Sequence, residues 1–212
     1  MVPDMTDSNS QLSALDTYFL ELGRFVHQFS SLENLMQIYL TLQTAVGMDV
    51  ARACFSGVKM DLAKSYIKRT REAQGFSEDD LLDRVFAQIT VLTNARNDIL
   101  HHGTNFESLD SPAGSVTNKN FAMPGREYEF PVSPQILRDL AADVNAVKNG
   151  IAFLMTRDTK MKGPPPEFWE PFERAARAPW RYTPPARPQT RQQRQKGDPK
   201  HPRQKKPSAE NG

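Results

Sequence analysis

Residues 77–103 read SEDDLLDRVFAQITVLTNARNDILHHG, and this stretch decides the fold class. Ser77 followed by Asp80 is typical of an N-cap with an acidic first turn. One stripe then repeats at steps of three and four residues. Its members are Leu82, Val85, Ile89, Leu92, Arg96, Ile99 and Gly103. This spacing predicts an amphipathic helix over residues 78–102.

Three further segments show the same spacing of apolar residues. Leu12 begins a stripe that continues to Leu40, and Ser133-Pro134 begins another with proline at the first helical position. A shorter segment closes at Gly75, and its many Lys and Arg residues indicate a solvent-facing side. The predicted helices cover residues 11–45, 58–73, 78–102 and 134–156, with a short helical piece over residues 50–55.

We therefore predict an all-α protein, an antiparallel four-helix bundle in which the long first and third helices pack along each other. The connection between the third and fourth helices is rich in Gly, Ser, Asn and Pro. Within it, residues 115–123 and 126–132 predict a short β-hairpin around Pro124-Gly125. This hairpin would lie outside the bundle.

Charge is divided unevenly along the chain. Residues 157–212 contain 14 Lys and Arg against 6 Asp and Glu, net +8, whereas residues 1–156 contain 13 against 19, net −6. The basic part is rich in proline and has too few apolar residues to form a core. We predict a disordered N-terminus over residues 1–10, one helical domain over 11–156, and a basic disordered tail over 157–212 with at most one short surface turn.

Basic residues in the second half of this tail suit non-specific attraction to RNA phosphates. The candidate RNA-binding residues are Arg187, Arg191, Arg194 and Lys196. A solubilising tail, or a site for an acidic partner, fits the same composition equally well.

Composition also disfavours several classes of protein. Cys54 is the single cysteine, so neither an internal disulfide nor an all-cysteine metal site can form, and a reducing compartment is the natural setting. No basic segment followed by an apolar one opens the chain, and no run of 18 apolar residues occurs, so we expect a cytoplasmic protein without a membrane partner. A Gly-rich phosphate loop and a nucleophile elbow are both missing, and we expect no cofactor and no metal.

A cluster of polar residues lies at the end of the predicted helix 78–102. Arg96 falls on the apolar stripe, where a guanidinium needs a partner. It could simply cover the core edge and pair with a carboxylate such as Glu33 or Asp98. The adjacent His101 and His102 could likewise serve only to complement the negative end of the helix dipole.

The same residue types also suit phosphodiester cleavage, which needs a fixed cation for the phosphate and a group that moves protons near neutral pH. At 100° per residue, Arg96 and His101 lie about 140° apart and roughly 7.5 Å along the axis. One straight helix therefore does not bring them together. Two copies crossing at a two-fold axis would, so catalysis implies a homodimer whose interface includes the C-terminal half of this helix.

The segment Arg96-Asn97-Asp98-Ile99-Leu100-His101 resembles the R-x4-6-H motif of HEPN domains, in its frequent Arg-Asn form. Two long and two shorter helices with the motif late in the third resemble that family as well, over roughly residues 12–156. The resemblance implies a metal-independent endoribonuclease that acts as a homodimer in toxin-antitoxin, abortive-infection or other antiphage systems. An antitoxin or other neutralising protein would then be a further partner.

The resemblance also implies roles for the motif residues. Arg96 would hold the phosphate and His101, which we favour over His102, would move the proton. Asn97 would orient the arginine or contact RNA. Asp98 would fix the tautomer of one histidine, or be a plain surface acid.

Glu33 lies in a region where HEPN sequences often have an acid that meets the motif arginine, although a surface role fits it equally well. Gly103 stands where one HEPN subgroup has tyrosine, so regulation through that tyrosine is not expected. Two other functions remain open: a non-catalytic helical scaffold for dimerisation or RNA binding, and a metal hydrolase. The second is weaker because His101 and His102 splay about 100° apart and lack a third ligand.

Overall fold

The computed structural model describes residues 13–44, 47–55, 60–76, 80–106, 113–117, 128–158 and 165–185, and this part of the chain is mostly helical. The helices are α1 (Ala14–Thr44), α2 (Met48–Phe55), α3 (Met60–Ala73), α4 (Asp80–His102), α5 (Pro134–Asp158) and α6 (Pro166–Arg177). The strands are β1 (Asn105–Phe106), β2 (Gly114–Thr117) and β3 (Glu129–Val132). The predicted helical class is confirmed. None of the helices in the described ranges is long and apolar enough to cross a membrane.

Local capping explains where several helices begin and end. Ser13 Oγ accepts the Asp16 N–H at 3.1 Å before α1, and Ser133 Oγ accepts the Ile136 N–H at 3.3 Å before α5. Gly75 follows α3 with φ of +79°. This is a left-handed conformation, which glycine adopts more easily than other residues. The predicted cap at Ser77 lies outside the described residues.

One hydrophobic core joins the helices, and α1 packs along α5 more than along α4. Among the described elements the most extensive packing is between α1 and α5, and α4 packs on α5 as well. The expected close pairing of the first and third predicted helices is therefore wrong. Its physical reason is that the apolar stripe of α5 is buried along its whole length, from Leu137 to Leu154.

The predicted hairpin pairing is present in the described residues, and a further strand, β1, precedes it in the chain. β2 pairs antiparallel with both β1 and β3, and Val116 lies opposite Phe130. Val116, Phe130 and Val132 are buried in the common core, so the sheet packs on the helical body instead of standing apart from it. The expected turn at Pro124-Gly125 lies outside the described residues.

Helix α6 overturns part of the tail prediction. Residues 165–185 were expected to be disordered, yet α6 packs against α4 and α5, and Ala176 and Tyr182 belong to the core. Sequence reasoning missed this helix because it stands in a Pro-rich basic segment that contains Pro171 within the helix itself. The predicted RNA-binding residues Arg187, Arg191, Arg194 and Lys196 lie beyond the described residues.

Two side chains fasten the segment after α6 to the body. Asp143 accepts the N–H groups of Arg181 and Tyr182 at 2.9 and 3.0 Å, and burial raises the pKa of this carboxyl despite those hydrogen bonds. Arg84 donates to the carbonyl oxygens of Ala176 and Ala178. The segment therefore uses polar anchors where few apolar contacts exist.

A second buried polar cluster joins α1, α3 and α5. The Tyr39 hydroxyl donates to Asp158 Oδ2 at 2.9 Å, and Arg71 forms an ion pair with the same carboxylate. Arg71 is only 4% exposed, unlike the solvent-facing side expected for the basic residues of α3. The three groups satisfy one another, which makes their burial tolerable.

Gly150 permits the close approach of three helices. A Cβ atom added to it would lie 2.9 Å from Ala176 Cβ on α6 and 2.9 Å from Val85 Cγ2 on α4. Both neighbours are short side chains near the backbone and cannot swing away. Glycine here is a packing requirement, not a helix defect.

We predict that Gly150→Ala lowers the free energy of unfolding by about 1–3 kcal/mol, because overpacking outweighs the better helix propensity of alanine. Gly23→Ala on α1 is the matched control, since nothing lies within 4 Å of its added Cβ. That control should raise stability by about 0.5–1 kcal/mol. Urea unfolding of both variants measures the difference, and equal effects would contradict the packing role of Gly150.

Candidate active site

The loop after α4 holds the end of this helix in place. Gly103, with φ of +69°, ends the helix, and its N–H donates to the Ile99 carbonyl at 3.2 Å. The hydroxyls of Thr104 and Tyr18 form a hydrogen bond of 2.5 Å that joins this loop to α1. Burial raises the pKa of Tyr18, so this phenol stays protonated near neutral pH.

Arg96 is half-buried at the seam between α4 and α1. Its guanidinium carbon lies 5.8 Å from the centre of the Phe29 ring, and Nη1 donates to Asn97 Oδ1 at 3.0 Å. Among the residues that the structure describes, Arg96 forms no ion pair. The aromatic face and the amide orient the cation without neutralising it.

Glu33 is the acidic group whose electrostatics respond to Arg96. Burial raises the pKa of the Glu33 carboxyl, and the positive charge of Arg96 opposes that rise. Burial is the larger of the two effects, so the carboxyl holds its proton to higher pH than an exposed glutamate does. Glu33 was one of two carboxylates considered as a partner for Arg96, and the structure gives it an electrostatic effect from Arg96 without an ion pair.

Asp98 faces away from Arg96, towards the sheet. It is only 7% exposed, and the Tyr128 hydroxyl donates to its Oδ1. His102 lies one helical turn further on, with its ring edge-on to Tyr128 and the ring centres 6.5 Å apart. Of the two roles considered for Asp98, the plain surface acid is wrong because the carboxylate is buried.

The structure divides the predicted residues into two groups. Arg96 and Asn97 lie with Glu33 on the α1 side, whereas Asp98 and His102 lie with Tyr128 on the sheet side. His101 is exposed in the last turn of α4. Helical geometry places Arg96 and His102 about 120° apart and roughly 9 Å along the axis, so neither histidine shares a face with the arginine in one chain.

Two residues of this region were not predicted from the sequence. Phe29 belonged to the apolar stripe of the first helix, and nothing in that stripe marks one ring as the platform for a cation. Tyr128 belonged to the predicted hairpin, whose alternation places Tyr128 and Phe130 on one face of the strand. The pattern gives no sign of the acid that the Tyr128 hydroxyl meets.

The arrangement offers an oriented cation, a carboxyl with a raised pKa, and an imidazole and a buried aspartate that contact the same tyrosine. Those groups suit binding of a phosphate and transfer of a proton. In the described ranges, no three His, Cys, Asp or Glu side chains are grouped as a metal site would need.

Comparison with known proteins finds no similar protein. No family model, no curated protein and no solved structure matches this chain.

We predict that Arg96→Ala raises the pKa of Glu33 further, because the substitution removes the positive charge that opposes the effect of burial. The folded-state pKa already exceeds the unfolded one. Glu33 therefore contributes stability below its unfolded pKa and loses it as pH rises through the folded pKa.

Carbon-13 NMR titration of the Glu33 carboxyl measures this shift. Arg69→Ala is the matched control, because it removes the same charge from an exposed position on α3. An unchanged Glu33 titration in the Arg96 variant would show that the two groups do not interact.

Proposed function

We propose that this protein is a metal-independent endoribonuclease of HEPN type, built on a bundle of α1, α3, α4 and α5. The observation that carries the proposal is the state of Arg96. Its guanidinium is oriented by Phe29 and Asn97, and it forms no ion pair in the described part of the chain. A cation held in this way is suited to a phosphate.

The proposed reaction uses the 2′-hydroxyl of RNA as the nucleophile. A histidine of the His101–His102 pair takes the 2′-OH proton, the 2′ oxygen bonds to the adjacent phosphorus, and the bond from phosphorus to the 5′ oxygen breaks. A histidinium returns a proton to that leaving oxygen. The products are a 2′,3′-cyclic phosphate and a free 5′-hydroxyl, and Arg96 stabilises the charge that develops on the phosphoryl oxygens.

A second copy of the chain would complete this site. Arg96 and the histidines lie on different faces of α4, and two copies of this helix that cross at a two-fold axis would place the arginine of one copy near a histidine of the other. Leu100 supports this interface. It lies one turn after Arg96, is 42% exposed, and is the large apolar side chain that α4 leaves exposed in its described residues.

The docked segment after α6 supports a role for the tail in RNA binding. The segment begins beside Arg84, which donates to the Ala178 carbonyl, and continues to Asp143. Gln88 donates to this Asp143 at 2.9 Å. Since Gln88 follows Arg84 by one turn, the segment runs towards the end of α4 that carries Arg96. We propose that Arg187, Arg191, Arg194 and Lys196 follow on to attract RNA to that end.

A toxin or antiphage effector held in check by a neutralising protein is the biological role that the motif resemblance suggests for such an enzyme, in the cytoplasm. The alternative is a non-catalytic scaffold for dimerisation or RNA binding. It is favoured by one observation, that contacts with Phe29 and Asn97 would equally fix an arginine at a core edge. A single assay separates the two.

We predict that the wild-type protein cleaves mixed RNA in the presence of EDTA, and that Arg96→Ala lowers this cleavage at least about 100-fold, because it removes a charge that stabilises the transition state. DNA of the same sequence should survive, because it lacks the 2′-hydroxyl. Product ends identified by mass spectrometry should be cyclic phosphates.

Arg69→Ala is again the control, and circular dichroism with sedimentation checks that both variants remain folded and dimeric. The scaffold function wins if the wild type cuts no RNA in EDTA and Arg96→Ala mainly lowers the melting temperature. A wild type that is monomeric at micromolar concentration would remove the composite site.

We predict that a stop after Pro185 keeps the fold, including docked α6, but weakens RNA binding and flattens its salt dependence. The removed residues carry 8 Lys and Arg against 2 Asp and Glu. Each lost phosphate contact should reduce the slope of log affinity against log salt by about 0.7 on single strands. An unchanged slope would exclude the tail from RNA binding.

A further inference from the structure

We propose that Tyr128 is a positioning residue of this site, which acts through Asp98 to set His102 as the histidine that moves the proton. The inference rests on the proposed endoribonuclease function and deepens it, because the motif spacing alone leaves His101 and His102 open. It also gives the hairpin, which the four-helix expectation left outside the bundle, a part in the chemistry.

The first step is the contact between the sheet and α4. The Tyr128 hydroxyl donates to Asp98 Oδ1, and Asp98 is 7% exposed although it lies near the end of a helix. A buried carboxylate requires such a donor, because an unsatisfied one would destabilise the fold. Tyr128 thus fixes the position of the Asp98 oxygens.

The second step is the choice between the two histidines. Asp98 and His102 are separated by four residues, so they lie on one face of α4, whereas His101 is turned about 100° away. His102 is half-buried and meets the edge of the Tyr128 ring with an interplanar angle of 81°. Tyr128 therefore contacts both Asp98 and the His102 ring, whereas His101 is exposed to solvent.

The third step is the rigidity of Tyr128 itself. Its ring stacks on Phe130 with centres 6.1 Å apart, and its carbonyl accepts the Thr117 hydroxyl at 3.1 Å. Phe130 is buried in the common core. The hydroxyl is thus presented to Asp98 by a residue directly before strand β3, whose ring and carbonyl are both held.

The proposed role of Asp98 is that of a carboxylate that supports the His102 imidazole during proton transfer. Such a group fixes the tautomer and orientation of the ring and stabilises the imidazolium that forms when the proton is taken. Tyr128 touches neither the substrate nor the transferred proton, so it is a positioning residue and not a catalytic one.

The test compares three substitutions in the full-length chain. Tyr128→Phe removes only the hydroxyl and keeps the stacked ring, Asp98→Asn keeps the size but not the charge, and Tyr66→Phe removes a hydroxyl from an exposed tyrosine on α3 as the control. Cleavage kinetics on RNA in EDTA give kcat and KM. Tyr128→Phe should lower kcat about 10-fold and Asp98→Asn about 100-fold, with KM nearly unchanged.

The second readout needs no activity. Proton–nitrogen spectra of the histidine side chains report the tautomer and hydrogen bonding of each ring. Because phenylalanine preserves the ring at position 128, a change in the His102 nitrogen signals must come from the lost hydroxyl. We expect Tyr128→Phe to shift the His102 signals and to leave those of His101 and His27 in place.

The outcomes separate this inference from the function beneath it. If the wild type cleaves RNA but Tyr128→Phe retains wild-type kcat and His102 signals, Tyr128 only clamps the sheet to α4 and the inference fails. A larger loss for His101→Ala than for His102→Ala also overturns it. If the wild type cleaves no RNA, the proposed function falls, and the His102 spectra still decide whether the tyrosine acts on that ring.

Discussion

Burial of α5 on more than one side is the constraint on which the rest of the structure depends. Its main stripe packs against α1, while Asp143 and Gly150, seven residues apart, extend the buried arc to roughly 200° of the helix. A helix buried over so wide an arc needs several neighbours. Here α1, α4 and α6, with the segment after α6, pack around α5.

That constraint also explains which features the sequence predicts. The main stripe of α5, the caps and the periods of α1, α3 and α4 are local signals, and their helices were predicted to within a few residues. Nothing local in the sequence shows that Asp143 meets two backbone N–H groups or that Gly150 lies against a neighbouring Cβ. The docking of α6 depends on both, so it could not be predicted.

The candidate site follows the same division. The motif identified Arg96, His101 and His102 by type and spacing, which a sequence displays. Their surroundings come from distant segments: Phe29 lies on α1 and Tyr128 directly before β3. The aromatic ring beside Arg96 and the donor to Asp98 were therefore not predicted. His101 was preferred from its spacing after Arg96, whereas the partial burial of His102 and its contact with Tyr128 favour His102.

The separation of Arg96 from the histidines is therefore fixed by tertiary contacts as well as by their spacing along the helix. Each side of α4 is specified by its own neighbour, the cation by α1 and the aspartate and imidazole by the sheet. Rotation of α4 about its axis leaves the angle between the two sides unchanged, and it would break the Phe29 contact and the Asp98 hydrogen bond. A phosphate that needs both groups must meet them across two copies of α4, so the proposed catalysis requires the proposed dimer.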